Sequence, residues 1–394
     1  MKQLWEVRKL QDIVEIINGR NQSEVISEDG EYPIYGSAGN LMGFARDYLC
    51  EAGTTIIGRK GNISKPIYFE EKLWNVDTAF GLYPKHGYRP KFIYYLCLTI
   101  DFKSRNRGTT IPSLVKSDLQ NITVPFIESL SEQQRIVSIL DQCFAAIDKA
   151  KTNAEQNLKN ARELFESYLE NMFAQKGDGW EEKKLEEICD LITKGSSPKW
   201  QGIKYVDKPG VLFVTSENVG QSTLLLEQRK YVEDKFNVSD KKSILKYGDV
   251  LTNIVGASIG RTAIFDLDDV ANINQAVCLI RCNQKLLFNE YLMYLLNSPF
   301  TKQHLHDNEV NNARANLSLS FFRSLSIPLP ELTAQKKVVE KIKIFHLETQ
   351  KLEALYEKKI KDLDELKKSI LQKAFAGELS GKGSDLVESI NFRN

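Results

Sequence analysis

Apolar residues recur at alternating steps of three and four along two stretches of this chain, 131–174 and 333–376. In the first, Leu140, Phe144, Ile147, Lys151, Ala154, Leu158, Ala161, Phe165, Tyr168 and Met172 make the stripe. In the second, Val338, Ile342, Phe345, Thr349, Leu352, Tyr356, Lys359, Leu363, Leu366 and Ile370 do so. This spacing lines one face of a helix and reads as a coiled-coil seam, interrupted by Lys151 in one copy and by Thr349 and Lys359 in the other. Neither stretch holds Gly or Pro, and both are rich in Lys, Glu and Leu, so helix is favoured throughout. At about 1.5 Å per residue each helix would run roughly 65 Å, the length of a rod. Such a rod is not stable alone, so each needs the other.

The two stretches are copies. Gln133/Gln335, Val137/Val339, Lys159/Lys361, Leu164/Leu366, Leu169/Leu371 and Phe173/Phe375 recur at one constant offset. The regions ahead of them repeat too, with drifting offset. Trp5-Glu6 opens the first and Trp180-Glu181 the second, each followed by a run expected to form a short amphipathic helix, ending at Asn18-Gly19 in the first. Gly195 answers Gly19. Short strand-like runs at 32–36, 54–58 and 66–69 come next, with 249–253 and 263–265 answering the last two. A helix expected over 91–102 is answered by one around 291–295. The polar loop 105–110 is answered by 311–316, and Pro125 by Pro328. The plan is globular, rod, globular, rod. Conserved rods between diverged globular units point to two related reading heads with different targets.

Composition narrows the class. The 394 residues are 42% apolar and 27% charged, as in soluble globular proteins of two or three domains. With 53 Lys+Arg against 52 Asp+Glu the net charge is +1, so any affinity for nucleic acid must come from local clusters or a partner. The six cysteines form no C-x-x-C pair, which argues against a zinc site or a disulfide framework. No signal peptide opens the chain and no apolar run is long enough to cross a bilayer, so no membrane association and a cytoplasmic location are expected.

Catalytic motifs are missing. There is no G-x-x-x-x-G-K-[ST] loop, no strand-linked G-x-G-x-x-G, and no metal spacing among the four histidines. No catalytic, cofactor-binding or metal-binding residue is assigned. Polar and basic loops carry the signal instead. Arg59, Lys60, Asn62 and Lys65 stand in a Gly-bounded turn suited to phosphate contacts. Arg105, Asn106, Arg107, Thr109 and Thr110 put Arg beside Asn, the side chains that read guanine and adenine edges. In the second half, Lys194, Ser196, Ser197 and Lys199 offer the same chemistry, as do Asn218, Asn253, Ser258, Arg261 and Asn274. Asn311, Asn312, Arg314 and Asn316 complete the set, and the clusters fall at matching places in both repeats.

The stretch 108–114, running through Ile122-Thr123-Val124-Pro125 into 130–137, resembles the passage from recognition domain to central conserved helix in the specificity subunits of type I restriction–modification systems. The stretch 366–379 is similar to that family's C-terminal helix end, and 32–36 and 58–61 resemble further motifs of its domains. The second copy departs, with Thr333-Ala334-Gln335-Lys336-Lys337 against Ser131-Glu132-Gln133-Gln134-Arg135, and with Arg314-Ala315-Asn316 in place of a Thr-Thr-Ile-Pro run.

The resemblance implies an α+β chain with two mixed α/β target-recognition domains, two long antiparallel coiled-coil helices and a pseudo-twofold internal repeat. Its segments would be 1–130, 131–175, 176–332, 333–380 and a polar tail, 381–394. Each recognition domain would read one half of a bipartite asymmetric site in double-stranded DNA. The half-sites would lie near one duplex turn apart, about 34–36 Å. The partners implied are two modification (methyltransferase) subunits and two restriction subunits. S-adenosylmethionine, ATP and Mg²⁺ would be held by those partners, with no cofactor in this chain. On the residues alone, a coiled-coil adaptor that binds proteins competes with this reading, and a standalone nuclease stands behind both.

Overall fold

In the computed structural model, which describes residues 5–175, 177, 179–207, 210–307 and 316–379, the two periodic stretches are single helices, Leu130–Ala174 and Leu332–Phe375. They belong to both of the compact units into which the chain divides. One unit is 1–156 with 357–394; the other is 157–356. Each unit therefore holds an end of both long helices, where the sequence pattern had set the helices apart as segments of their own.

The seam pairs antiparallel within each unit. In the first, Lys151 Nζ donates to both oxygens of Asp364 at 2.8 and 2.9 Å, and Lys367 Nζ to both oxygens of Asp148 at 2.7 and 2.9 Å. In the second, Arg162 Nε donates to Glu353 at 3.0 Å, Phe165 stacks on His346 at 4.3 Å, and Tyr168 stacks on Phe345 at 4.2 Å. The interruptions have partners: Lys151 has Asp364, and the buried Thr349 hydroxyl bonds back to the carbonyls of Phe345 and His346. One expected seam residue, Leu352, is 38% exposed. In the first unit Ile136, Leu140, Leu363 and Ile370 of the long helices share one core with residues of the globular part, and in the second Leu169, Phe173, Val339 and Ile342 do the same.

The first unit carries a four-stranded antiparallel sheet in the order Val14–Asn18, Ala79–Pro84, Thr55–Gly58, Ile67–Tyr68. A smaller sheet runs Leu41–Ala45, Tyr32–Tyr35, Trp74–Asn75, its last pair parallel. A ribbon of Glu6–Lys9 with Thr123–Phe126 leads into the long helix. The core gathers Phe92 and Leu96 of the helix Pro90–Leu98, Phe126 of the ribbon, and Ile136, Leu140 and Phe375 of the long helices.

The second unit repeats this plan. Its large sheet runs Cys189–Lys194, Val277–Cys282, Val250–Asn253, Thr262–Ile264. Its small sheet runs Tyr205–Val206, Tyr231–Val232, Val211–Val214, Ala271–Ile273, again ending on a parallel pair. The ribbon is Glu181–Lys184 with Ser326–Leu329, and the helix is Asn289–Asn297. Gly19 and Gly195 are equivalent for a steric reason. A Cβ on either would lie 1.8 Å from a backbone oxygen, that of Val76 or Ile273.

Two expectations need correction. The opening run is not an amphipathic helix: it is strand Glu6–Lys9, a single turn Leu10–Ile13, and strand Val14–Asn18. Val14 and Ile16 are buried while Glu15 is exposed, a period of two rather than 3.6. The same succession occurs over Glu181–Lys184, Leu185–Ile188 and Cys189–Lys194. The helix expected over 91–102 ends at Leu98, where the Thr99 hydroxyl turns back onto the Leu96 carbonyl at 2.7 Å.

Candidate nucleic-acid interface

In the first unit the fold brings the two basic loops together. Gly61 N–H donates to the Pro112 carbonyl at 2.9 Å, Leu114 N–H to the Arg59 carbonyl at 2.8 Å, and Lys60 bridges to Ser113. Glycine is needed at the joints: a Cβ on Gly58 would lie 2.2 Å from the Asn62 oxygen, and one on Gly108 1.8 Å from the Ile111 oxygen. Arg59, Lys60, Lys65, Arg105, Thr109 and Thr110 are exposed on this double loop, with Asn62 half-buried. Arg59 lies with its guanidinium 5.7 Å from the Phe80 ring centre.

Asn106 and Arg107 are committed within the loop. Asn106 Oδ1 accepts from the N–H groups of Gly108 and Ser113, both at 2.8 Å, and its amide donates to the Gly108 carbonyl. Arg107 forks onto Asp118 at 2.8 and 3.2 Å. The hydrogen bond from Arg107 holds the Asp118 carboxyl below its ordinary range. These two side chains shape the loop that presents Arg105, Thr109 and Thr110.

The second unit uses the same joint. Leu317 N–H donates to the Ile254 carbonyl at 2.9 Å, and Val255 bridges to Asn316, as Arg59–Lys60 joins Ser113–Leu114 in the first. Ser258 is half-buried; Arg261 and Asn316 are exposed. Asn311, Asn312 and Arg314 lie outside the described residues. Burial lowers the Lys302 pKa, and the Arg261 charge adds to that against an opposing effect of Glu166. Lys194 and Lys199 are exposed, with Ser196 and Ser197 half-buried. Ser196 Oγ donates to Asp240 and accepts from the Gln201 amide, both at 2.5 Å. Asn274 Oδ1 accepts from Ala276 N–H.

Two expected contact residues are corrected. Asn253 is fully buried and its amide donates to the Ser216 and Val219 carbonyls and to Ser258 Oγ. Asn218 is 6% exposed and ties Thr215 to the carbonyls of Leu225 and Gln228. A buried amide whose donors are spent on backbone holds loops; it does not reach a base edge. An Asn in a polar tract reads the same in sequence either way. Trp200 closes the polar run 193–200 that the sequence singles out, though it carries no assigned contact there; Lys241 and Lys242, exposed next to Asp240, lie outside every expected cluster. The available signal for the two lysines was their adjacency in sequence. Among the described residues, no three His, Cys, Asp or Glu side chains gather as a metal site. None of their helices is long and apolar enough to cross a membrane.

Comparison with known proteins bears on both halves of the chain. The family model for the type I restriction modification DNA specificity domain matches twice, at residues 2–159 and 177–362. The MjaVIII specificity subunit of Methanocaldococcus jannaschii is 23% identical, over 98% of this chain and 94% of that protein. The EcoBI specificity subunit of Escherichia coli is 23% identical, over 85% of this chain and 76% of its own. A solved structure from work on complex assembly and conformational transition of the type I R-M system superposes with a TM-score of 0.78. It is 18% identical and covers 96% of this chain and 100% of its own. The HsdS subunit from Thermoanaerobacter tengcongensis gives 0.58 at 18% identity, with 95% and 97% covered.

Proposed function

The chain belongs to the type I restriction–modification DNA specificity family, and from that premise we propose that each of its two units reads one half of a split, asymmetric sequence in double-stranded DNA. It is a specificity subunit with two target-recognition domains. In our reading these domains occupy 1–130 and 176–332. The observation that carries the reading is the repeated joint. In both units a loop after the third strand of the large sheet is bonded to the segment that leads into the long helix, and each unit presents exposed Arg or Lys there. Exposed cations grip phosphate, and neighbouring polar side chains discriminate bases.

The paired helices would fix the gap between half-sites and dock two modification subunits. Ile344 (60% exposed), Leu347 (54%) and Leu355 (57%) leave apolar surface on the second long helix for such a partner. Two restriction subunits would complete the assembly, which acts on DNA inside the cell. Adenine methylation with S-adenosylmethionine, and ATP- and Mg²⁺-dependent chemistry, fall to those partners, and this chain supplies the address. Its near-zero net charge fits weak DNA binding alone and tight binding once partners close around the duplex.

The test is methylation mapping. The chain is co-expressed with a modification subunit and the host DNA is sequenced for methyladenine. Two short blocks around a fixed gap are expected. A stable complex with an active methyltransferase and no methylated motif would overturn the reading.

A further inference from the structure

Trp200 is 82% exposed, the most exposed large hydrophobic side chain among the described residues. It stands on a well-braced turn. The segment Pro198–Gln201 is one 3₁₀ turn closed by Gly202 at φ +67°, and Trp200 N–H donates to the Ser197 carbonyl at 3.2 Å. Pro198 is buried beneath it, and its carbonyl accepts from Ile203 N–H at 3.0 Å. Gln201 and Ser196 lock the turn to Asp240, which is 5% exposed and whose backbone carbonyl is held by the Asn272 amide at 3.1 Å. An indole displayed this way costs hydration with little burial to offset it, so the fold presents it to something outside.

The surroundings identify the occupant. The Ser196–Asp240 bond places Lys241 and Lys242, the residues after Asp240, beside the Trp200 turn. Lys194 and Lys199 flank it along the chain. All four lysines are exposed, and none has an ion-pair partner among the described residues. One apolar aromatic ring among unneutralised cations suits a surface that is anionic outside and apolar within, which is nucleic acid. A protein partner would have to bring its own carboxylates to the same points.

We propose that Trp200 is a DNA-contacting wedge of the second unit: its indole packs against the bases of that unit's half-site while Lys199, Lys241 and Lys242 hold the flanking phosphates. The inference rests on the reading of the second unit as a DNA-recognition head. It adds a residue that works through apolar contact rather than charge.

The experiment uses the complex with its modification subunit and the duplex defined by methylation mapping. Dissociation constants are measured over a series of salt concentrations for wild type, Trp200→Ala, Trp200→Phe and Lys241→Ala/Lys242→Ala. Trp200→Ala should bind about 10-fold or more weaker, with the slope of log Kd against log salt unchanged, because no charge is lost. Trp200→Phe should recover most of the affinity. The lysine pair should flatten the slope by about 2. A duplex with only the second unit's half-site scrambled should lose the wild-type advantage over Trp200→Ala. Trp200→Ala binding within about 2-fold of wild type, or losing affinity equally on the scrambled duplex, overturns the proposal. Wild-type complex that neither binds nor methylates any site fails the recognition reading itself, a separate result.

Discussion

Gln133 and Gln335 are fully buried, and each joins three parts of its unit. Gln133 Oε1 accepts from Arg89 N–H, at the start of the recognition-unit helix, and its amide donates to the Ile127 carbonyl at the end of the ribbon. Gln335 does the same with Phe288 N–H and the carbonyls of Leu286 and Pro330. The sequence showed both glutamines at one offset, but a surface Gln repeats just as well. Only the fold shows them enclosed with every partner a backbone group. Gln133→Ala or Gln335→Ala strands a buried donor and acceptor, and each should lower stability by about 2–4 kcal/mol in urea unfolding. The exposed neighbour Gln134→Ala should stay within about 0.5 kcal/mol of wild type. The Arg107–Asp118 fork gives a second expectation. Its carboxyl has a folded pKa below the unfolded one, so the pair's contribution is complete above the ordinary carboxylate range and is lost only as pH falls through the lowered value. DNA affinity should therefore not weaken between pH 7.5 and 5.5 through this loop. Arg107→Ala should weaken it at both pH values alike, measured by titration with the mapped duplex.

At the scale of the element, the paired helices rest on their apolar seam more than on the ion pairs that decorate it. Lys151–Asp364 and Asp148–Lys367 are partly exposed, so a double-mutant cycle on either should return about 0.2–1 kcal/mol. Ile147→Ala, at a fully buried seam position, should cost about 2–5 kcal/mol. The second unit adds a titratable step. Burial lowers the His346 pKa, with the Glu353 charge opposing, and the ring stacks on Phe165. With the folded pKa below the unfolded one, this stabilisation is complete above about pH 6.5 and is lost as pH falls through the folded value. The melting temperature should drop between pH 7.5 and 5, and His346→Phe should shrink that drop. Long periodic helices were legible because a seam of ten positions averages out its interruptions. The short opening helix was not, because so short an apolar pattern fits period two as well as 3.6, and pairing with a strand some 65 residues further on decided the matter. The recognition loops were legible in place but not in role. Asn253 and Asn218 lie inside the fold while Arg59 and Lys60 lie outside, and composition does not separate them.

For the whole molecule, the ladder of contacts fixes how a length test must be built. Asp148 faces Lys367, Lys151 faces Asp364, and Arg162 faces Glu353. An insertion in one helix alone would leave one side of this ladder out of step, and four added residues would turn the seam by about 40°. A heptad placed after Gln156 together with a heptad after Tyr356 avoids both faults. Each point lies on its own helix at the boundary between the two units, and each accepts seven residues without losing the 3-4 pattern. The helical path between the recognition units then grows by about 10 Å, close to three base-pair steps of B-form DNA. If the helices set the gap, methylation mapping of this variant should return both original half-sites with a spacer longer by about three base pairs. The same motif with its old spacer would show that the gap is set elsewhere in the complex. A change in either half-site would show that base reading is not confined to the recognition units.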